Sequence, residues 1–343
     1  MTKLRINLAL QGGGAHGAFT WGVLDRLLQD DDIEIAGISG TSAGALNGAA
    51  LKAGMLKGGK QGARDNLDWL WGKVGAVQDN ALTGWMYSSG PQAYSRMIEN
   101  SLPFMMADTW ARMVSPYSYG PFYSNPLRPI FETFDFASVC AHEGPALFIC
   151  ATRVRNGKIR VFDGDDITTE AIMASACLPT LFKAVELYDS ETEQNEAFWD
   201  GGYTGNPALF PLFADDLPSD IVIININPLV RSGVPRTPQQ IQNRINEISF
   251  NSSLLRELRA ISYVQRLLER GTLEQSEMKR VLIHMMADDA LMIDLSVATK
   301  LVPTPYVLKT LKTAGQQAAE TFIASHKSAL NKRSSVDMKD MFG

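Results

Sequence analysis

Residues 33–51 read IEIAGISGTSAGALNGAAL, and this stretch contains the strand-to-helix transition on which we base the fold. Apolar residues of strand character come first, and a run rich in alanine and leucine, typical of a helix, follows. Between them lies the pentapeptide GTSAG, in which Gly40 and Gly44 flank Ser42. On such a turn a serine hydroxyl points outward above the sheet, and the glycines avoid collisions with strand and helix. Ser42 is therefore the candidate nucleophile, and close helix–strand packing of small residues is the structural alternative.

A second glycine-rich loop lies near the N-terminus, after a short strand predicted over residues 5–10. It reads QGGGAHG over residues 11–17, and helical spacing begins after it. The pattern Gly-x-Gly-x-x-Gly of dinucleotide-binding loops is matched at Gly12, Gly14 and Gly17. That motif also needs an acid at the end of the second strand, where this chain has the serine pentapeptide. We favour the alternative in which backbone N–H groups of residues 12–14, at a helix N-terminus, face an anion formed during reaction.

Hydrophobic periodicity predicts further elements along the chain. Strands are predicted over residues 146–152, 159–162, 181–187, 197–199, 221–226 and 280–286, and helices over residues 168–176, 237–270 and 306–330. The dipeptide Asn156-Gly157 predicts a hairpin turn. Alternating strands and helices favour an α/β fold with a mainly parallel sheet covered by helices. The charged residues 336–343 are expected to fray.

The overall composition restricts the classes of function. The chain has 343 residues, 45% of them hydrophobic, enough for one large domain or two moderate ones. Its formal charge is −5 and its basic residues are not clustered, which argues against nucleic acid as a partner. Three cysteines without Cys-x-x-Cys spacing indicate a reducing compartment and no metal site. No apolar stretch reaches about 18 residues or resembles a signal peptide, so we expect a cytoplasmic protein that can still contact a membrane surface peripherally.

Residues 67–125 differ from the rest of the chain because aromatic and methionine residues crowd there without long regular periodicity. Two interpretations stay open. The segment can be a wholly buried cap on the core. Alternatively it is an apolar lid that lines an acyl-chain pocket or meets a lipid surface, since methionine and aromatic side chains adapt to irregular apolar ligands.

Ser42 needs a base, because an unaided serine hydroxyl is a poor nucleophile near neutral pH. One solution is a Ser-Asp-His triad that combines Asp200 with His284 or His326. The other is a dyad in which Asp200 itself takes the proton. A carboxylate with a solution pKa near ~3.9 is a weak base, so the dyad requires an apolar, water-poor site that raises this pKa. Two aromatic residues before Asp200 supply such neighbours.

Three motifs taken together resemble the patatin-like phospholipase family. They are the glycine loop over residues 12–17, the pentapeptide over residues 40–44, and Asp200-Gly201-Gly202 downstream. The segment ASACLPTLF over residues 174–182 is similar to the Ala-Ser-x-Ala-x-Pro segment of that family. Each motif is weak alone, but their order is specific, and the resemblance covers roughly residues 6–210.

The resemblance implies a three-layer α/β/α fold with a catalytic core over residues 6–210, followed by an α/β and helical extension over residues 211–335. It implies lipid acyl hydrolase activity of the phospholipase A or esterase type through a Ser42–Asp200 dyad without a histidine. In that mechanism an oxyanion hole uses the N–H groups of Gly12, Gly13, Gly14 and Ala43. An acyl-enzyme forms, and no cofactor or metal takes part.

Alternatives and partners follow from the same motifs. A catalytically idle relative that binds a lipid or a protein partner is the alternative from a different class. The expected substrate is a lipid or simple ester, and the apolar C-terminal helices could serve a homodimer.

One residue departs from the family pattern. The family most often carries arginine or lysine where this chain has His16, beside the glycine loop. Histidine has a pKa near ~6.5 and so is not a fixed positive charge. No permanent cation can be assumed at that position, whereas the backbone donors of the loop are unaffected.

Overall fold

A computed structural model describes residues 3–75, 90–231, 233–271 and 278–342. Eight strands within these ranges form one sheet. They are β1 (Leu4–Leu10), β2 (Ile33–Gly40), β3 (Ala146–Arg153), β4 (Ile159–Asp163), β5 (Val185–Asp189), β6 (Gln194–Asp200), β7 (Asp220–Ile224) and β8 (Leu282–Met286).

The α-helices of the described residues alternate with these strands. They are α1 (Gly17–Leu27), α2 (Ala43–Val74), α3 (Pro91–Glu99), α4 (Leu102–Met113), α5 (Arg128–Phe131), α6 (Phe136–Val139), α7 (Thr169–Ser175), α8 (Pro238–Glu269), α9 (Asp289–Asp294), α10 (Val297–Leu301), α11 (Pro305–His326) and α12 (Met338–Phe342). The long helix α2 is interrupted at Gly58 and Gly59, whose backbones are not helical.

The strand order is β5-β6-β3-β2-β1-β7-β8, with β4 paired to β3. The run from β3 through β2, β1 and β7 to β8 is parallel. The hairpins β3–β4 and β5–β6 are antiparallel, as is the pair β3–β6. The prediction of an α/β fold with a mainly parallel sheet is confirmed.

Both faces of the sheet are covered, because side chains along each strand alternate between two apolar layers. On β1, Ile6, Leu8 and Leu10 join a core that includes residues of α1, α2 and α11. The intervening Ala9 joins a second core that includes residues of α8. The predicted three-layer α/β/α arrangement follows from this alternation.

Residues 67–125 are not one unit. Trp71 is buried within α2, and Tyr94 is buried on α3. By contrast α4 has no buried residue, so a wholly buried cap is wrong for this part of the segment. The segment contains two short regular helices, α3 of nine residues and α4 of twelve residues. The aromatic cluster around Trp85 lies outside the described residues.

The C-terminal segment that was expected to fray contains α12. Met338 is buried in the second core, with Met341 and Phe342 packed against it. The guanidinium of Arg259 on α8 lies over the ring of Phe342, at 5.5 Å from its centroid. These apolar and cation–π contacts hold residues 338–342 against the core. The sequence did not predict them, because the charged residues of the segment suggested a frayed end.

Helices α1 and α11 approach so closely that their backbones touch. A Cβ at Gly22 would lie 1.9 Å from the carbonyl oxygen of Lys312, and a Cβ at Gly315 would lie 2.1 Å from that of Phe19. Only glycine fits at these two positions, because a contact below 3 Å with backbone has no flexible side chain to relieve it.

We predict that Gly22→Ala lowers the free energy of unfolding by about 1–3 kcal/mol, because the added methyl separates α1 from α11. The control is Gly72→Ala on α2, where an added Cβ meets nothing within 4 Å. That change should raise the stability by about 0.5–1 kcal/mol, the helix preference of alanine over glycine. Urea unfolding followed by circular dichroism measures both, and an unchanged Gly22→Ala variant would contradict the close packing.

Candidate active site

The register of the sheet places Ser42 level with Asp200. Gly40 at the end of β2 pairs with Ile149 of β3, two residues before Ala151. Ala151 in turn pairs with Asp200 at the end of β6. Because β4 occupies the other edge of β3, β2 and β6 follow one another along the same edge, and Ser42, two residues after Gly40, comes next to Asp200.

The turn that carries Ser42 is strained. Ser42 has φ 53° and ψ −121°, a region that residues with a side chain rarely adopt. A Cβ at Gly44 would lie 2.1 Å from the carbonyl oxygen of Leu10, and one at Gly40 would lie 2.6 Å from that of Gly44. The small residues flanking Ser42 are therefore required by the close approach of backbones, which hold the serine in this conformation.

Asp200 is buried, with 2% of its surface exposed. One carboxylate oxygen, Oδ1, accepts a hydrogen bond from the Gly202 amide at 2.7 Å, and the side chain of Ser42 lies next to the carboxylate. Burial raises the pKa of Asp200 to about 7, and the interactions with the Gly202 amide and the Ser42 side chain only partly oppose this effect. No ion pair to Asp200 is present in the described part of the chain.

The two glycines after Asp200 are required by packing. A Cβ at Gly201 would lie 2.2 Å from the carbonyl oxygen of Cys150, and one at Gly202 would lie 2.0 Å from the ring of Phe250 on α8. The ring of Tyr203 also packs on Phe250, with centroids 5.5 Å apart. An ordinary solvent-exposed turn would not need these glycines. The Asp200-Gly201-Gly202 motif therefore lies in a compact and largely apolar environment.

The glycine loop contacts the Ser42 turn directly. A Cβ at Gly12 would lie 2.7 Å from the Cβ of Ser42, and one at Gly17 would lie 2.6 Å from that of Ala43. The amide of Gly12 donates to Oδ1 of Asn206 at 2.6 Å. This amide is therefore engaged and does not fit the oxyanion role expected for it, which leaves the amides of Gly13, Gly14 and Ala43 as candidates.

Sequence reasoning missed the polar side chains that hold this loop. Oε1 of Gln11 accepts hydrogen bonds from the amides of Ile226 and Asn227, at 2.9 and 3.1 Å. The side-chain amide of Asn227 donates to the Gly12 carbonyl at 2.9 Å. Ser175 lies in the segment 174–182 that the sequence singled out, but its contact was not predicted: its hydroxyl accepts from the Ser42 amide at 2.9 Å. The available signal was position, since Asn227 closely follows the carboxyl end of β7.

His16 is buried beside the glycine loop and is neutral. The Thr299 hydroxyl donates its proton to the Ser296 carbonyl at 2.7 Å, so Nε2 of His16, 2.8 Å away, must be the donor to Thr299. Its Nδ1 is buried without a partner among the described residues. Burial, and secondarily the charge of Lys300, lower the pKa of His16 well below its usual value. His16 therefore carries no positive charge.

Neither histidine of the alternative triad is brought to Ser42. Nε2 of His284 bonds to Asp220 at 2.9 Å, and its Nδ1 bonds to Ser335 at 3.0 Å. Asp220 begins β7, and the candidate site lies beyond the other, carboxyl end of this strand. Each residue of a strand adds about 3.3 Å, so the His284–Asp220 pair is separated from the site by the length of β7. His326 packs against Phe322 on α11. Both ring nitrogens of His284 are thus committed to structural partners.

Comparison with models of protein families matches residues 8–213 to the patatin-like phospholipase model. The chain belongs to the patatin-like phospholipase family. The matched range is 206 of 343 residues and contains the glycine loop, Ser42 and Asp200. Membership in this family implies lipid acyl hydrolase activity in general.

A solved structure is also similar to this patatin-like chain. It is similar to the crystal structure of VipD from Legionella pneumophila, with a TM-score of 0.41 and 14% sequence identity over 94% of this chain and 67% of that one. A search of curated proteins finds no match.

Two further properties of the patatin-like chain bear on its ligands. Residues 3–75, 90–231, 233–271 and 278–342 contain no group of three or more His, Cys, Asp or Glu side chains that could hold a metal ion. Within the same ranges, every helix is too short or too polar to cross a membrane.

We predict that Asp200→Asn is stabilised relative to wild type as the pH rises from about 4 to about 7. The folded pKa of Asp200, about 7, exceeds the unfolded value near ~3.9. Over that interval the folded wild type holds a proton that the unfolded chain has released, so its stability falls, whereas asparagine does not titrate. The gain should be at most about 4 kcal/mol and should level off above pH 7. Urea midpoints across pH measure it.

Asp25→Asn provides a control of opposite sign. Burial raises the pKa of Asp25, but hydrogen bonds from Arg64 and Gln316 outweigh burial and lower it below the usual value. Wild type therefore gains stability relative to Asp25→Asn as the pH rises through the acid range. A stability difference for Asp200→Asn that stays flat with pH would show that its carboxylate is not perturbed.

Proposed function

We propose that the chain is a serine lipid acyl hydrolase, of the phospholipase A or esterase type, that cleaves carboxylic esters of lipids through a Ser42–Asp200 dyad. The observation that carries this proposal is the placement of the Ser42 side chain next to a buried carboxylate whose pKa, raised by burial, is about 7. A base with that pKa takes a proton efficiently near neutral pH. The strained turn of Ser42 supports a role for its hydroxyl in reaction.

The proposed reaction has two halves. In the first, Asp200 accepts the Ser42 proton while Oγ attacks the ester carbonyl, and the amides of Gly13, Gly14 and Ala43 stabilise the oxyanion. The alcohol leaves with the proton returned by Asp200, and an acyl-enzyme remains. In the second half Asp200 takes a proton from water as the water oxygen attacks the acyl carbonyl. Asp200 then returns this proton to Oγ of Ser42 as the ester bond breaks and the carboxylic acid is released.

A lipid surface is the proposed source of substrate. The exposed face of α4 carries apolar side chains at helical spacing, namely Leu102, Met105, Met106, Trp110 and Met113. The indole of Trp110 donates to the Tyr119 hydroxyl at 2.8 Å, so this face combines an apolar body with satisfied polar groups, as suits a lipid–water interface.

The segment after α4 is attached to the candidate site. The hydroxyls of Tyr117 and Tyr123 accept hydrogen bonds from the amides of Ala184 and Lys183, each at 3.1 Å. The loop between α7 and β5, which carries Lys183 and Ala184, also includes Cys177, whose carbonyl accepts a hydrogen bond from the Asp200 amide at 2.8 Å. A helix that contacts lipid would therefore lie close in the fold to the proposed base.

We predict that a fluorophosphonate probe labels Ser42, and that Asp200→Asn reduces both labelling and hydrolysis of p-nitrophenyl butyrate to background. Wild-type activity should rise with pH around 7, because Asp200 must be ionised to act as base. Peptide mass mapping locates the label, and Ser42→Ala should remove it. Full activity in Asp200→Asn would exclude the Ser42–Asp200 dyad as the catalytic mechanism.

Two controls sharpen this test. Glu257 is a half-buried carboxylate whose pKa is also raised by burial to about 7, but it accepts from the amides of Leu209 and Phe210, so Glu257→Gln should stay active. His284→Ala should keep most of its activity, and a several-hundredfold loss without unfolding would restore the triad. A folded wild type that shows neither label nor turnover, even with detergent micelles, would favour the idle binding relative.

We predict that the double change Met106→Gln and Met113→Gln weakens binding to phosphatidylcholine vesicles by about tenfold or more, because two exposed apolar side chains no longer enter the lipid. Co-sedimentation measures binding, and turnover of soluble p-nitrophenyl butyrate should not change. The matched control is Tyr188→Gln on β5, which removes a similarly exposed apolar residue. Unchanged vesicle binding in the double variant would exclude α4 as the lipid contact.

A further inference from the structure

Lys300 lies against the glycine loop although it is distant in sequence. It belongs to α10, which packs on the turn formed by residues 14–16. A Cβ at Gly14 would lie 2.4 Å from the carbonyl oxygen of Lys300 and 3.6 Å from its Cβ. Gly14 has φ 58°, so glycine is required there by conformation as well as by this contact.

The ammonium group of Lys300 reaches the loop through one side chain. Nζ of Lys300 donates to Oδ1 of Asn227 at 2.7 Å. Nδ2 of Asn227 donates in turn to the Gly12 carbonyl at 2.9 Å. The Gly12 carbonyl also receives a longer contact of 3.5 Å from Nδ2 of Asn206. A cation is thereby connected to one peptide unit of the loop by two hydrogen bonds in series.

That peptide unit links Gly12 to Gly13. A trans peptide directs its N–H opposite to its C=O, so the Gly13 N–H points away from Asn227 and Lys300. A hydrogen bond to the carbonyl also polarises the whole unit and makes its N–H a stronger donor, and a charged group at the end of the chain increases the effect.

We propose that Lys300 is a positioning residue for the oxyanion donor of Gly13, acting through Asn227 on the Gly12 carbonyl. This inference rests on the proposed function, because it assigns a role within that reaction. Lys300 touches no reacting atom. It fixes the plane of the Gly12–Gly13 peptide and supplies the positive charge that neutral His16, next to the same loop, does not carry.

The charged groups around Lys300 set its titration. Glu247 of α8 and Arg231 after β7 face it with opposite signs, and His16 faces it from the loop, while α9 contributes the uncharged Met292. The cavity at this place measures about 10 Å³, room for one water at most. Burial lowers the pKa of Lys300 to about 8, with Glu247 opposing and Arg231 adding to this effect. The ammonium is therefore charged at neutral pH and loses its charge in the mildly alkaline range.

The test compares Lys300→Met with Lys312→Met, which removes a half-buried lysine that pairs with Asp68 on the surface. Hydrolysis of p-nitrophenyl butyrate is measured across pH. For Lys300→Met we expect kcat to fall about 10- to 100-fold with little change in KM, less than the 10²- to 10³-fold cost of removing a donor outright. In wild type we expect kcat to fall near pH 8, as Lys300 loses its charge. In Lys300→Met this alkaline fall should be absent. Lys312→Met should match wild type in both respects.

Lys300→Arg separates charge from fold. Arginine keeps the cation but does not titrate below pH 12, so we expect substantial kcat and no fall near pH 8. A purely structural role for Lys300 would leave the alkaline fall in place in any folded variant. If Lys300→Met proves unstable in urea unfolding, the pH profile of Lys300→Arg alone decides.

The position of Asn227 gives a second measurement. Since Lys300 acts through Asn227, the losses in kcat for Lys300→Met and Asn227→Ala should not add in the double variant. Additive losses would overturn the relay, as would wild-type kcat and an unchanged alkaline fall in Lys300→Met.

Failure of this inference is distinguishable from failure of the proposed function. If wild-type hydrolysis is absent or survives Ser42→Ala, the serine mechanism fails and no role for Lys300 in it stands. If hydrolysis depends on Ser42 but is indifferent to Lys300, only the positioning role is wrong.

Discussion

The close approach of two backbones, the glycine loop after β1 and the Ser42 turn after β2, is the constraint on which the site depends. The parallel neighbours β1 and β2 end side by side, so their following loops must share one space. There is no room for a side chain at Gly12 against Ser42, or at Gly44 against the Leu10 carbonyl. Ser42 adopts a strained backbone conformation under this constraint. Its strain is held by the helices that begin at both loops and pack on the sheet.

Asp200 illustrates the energetic cost of such a site. Its carboxylate is buried beside Phe250 and Ser42, with a hydrogen bond from the Gly202 amide and no ion pair among the described residues. A protein selected only for stability would pair this charge or replace it with an apolar side chain. The surrounding packing raises the carboxylate pKa to about 7, a value suited to a base. Stability and reactivity thus oppose one another at one side chain.

Residues beyond the family match complete the site. The matched range ends at residue 213, yet Asn227, Phe250 and Lys300 lie after it and contact the motifs directly. Parallel pairing of β7 with β1 brings Asn227 to the glycine loop, and α8 and α10 bring the other two. The C-terminal part of the chain is therefore part of the candidate site and not only a support for it. His16 in the glycine loop is buried and neutral, whereas Lys300 on α10, beside the same loop, is charged at neutral pH.

The sequence by itself determined the elements and the motifs, because strand and helix periodicity and glycine-bounded turns are local properties. The motifs around Ser42 and Asp200, the strands and the helices α1, α2, α7, α8 and α11 were readable in this way, whereas α3, α4, α10 and α12 were not. The sequence left the choice between His284 and an unaided Asp200 open, since that choice depends on which strand end each side chain reaches. It also could not find Lys300 or Asn227, or show that the Gly12 amide is engaged and α4 exposed. Those features depend on contacts between residues far apart in the chain, which only the pairing of β7 within the sheet and the packing of the helices around it decided.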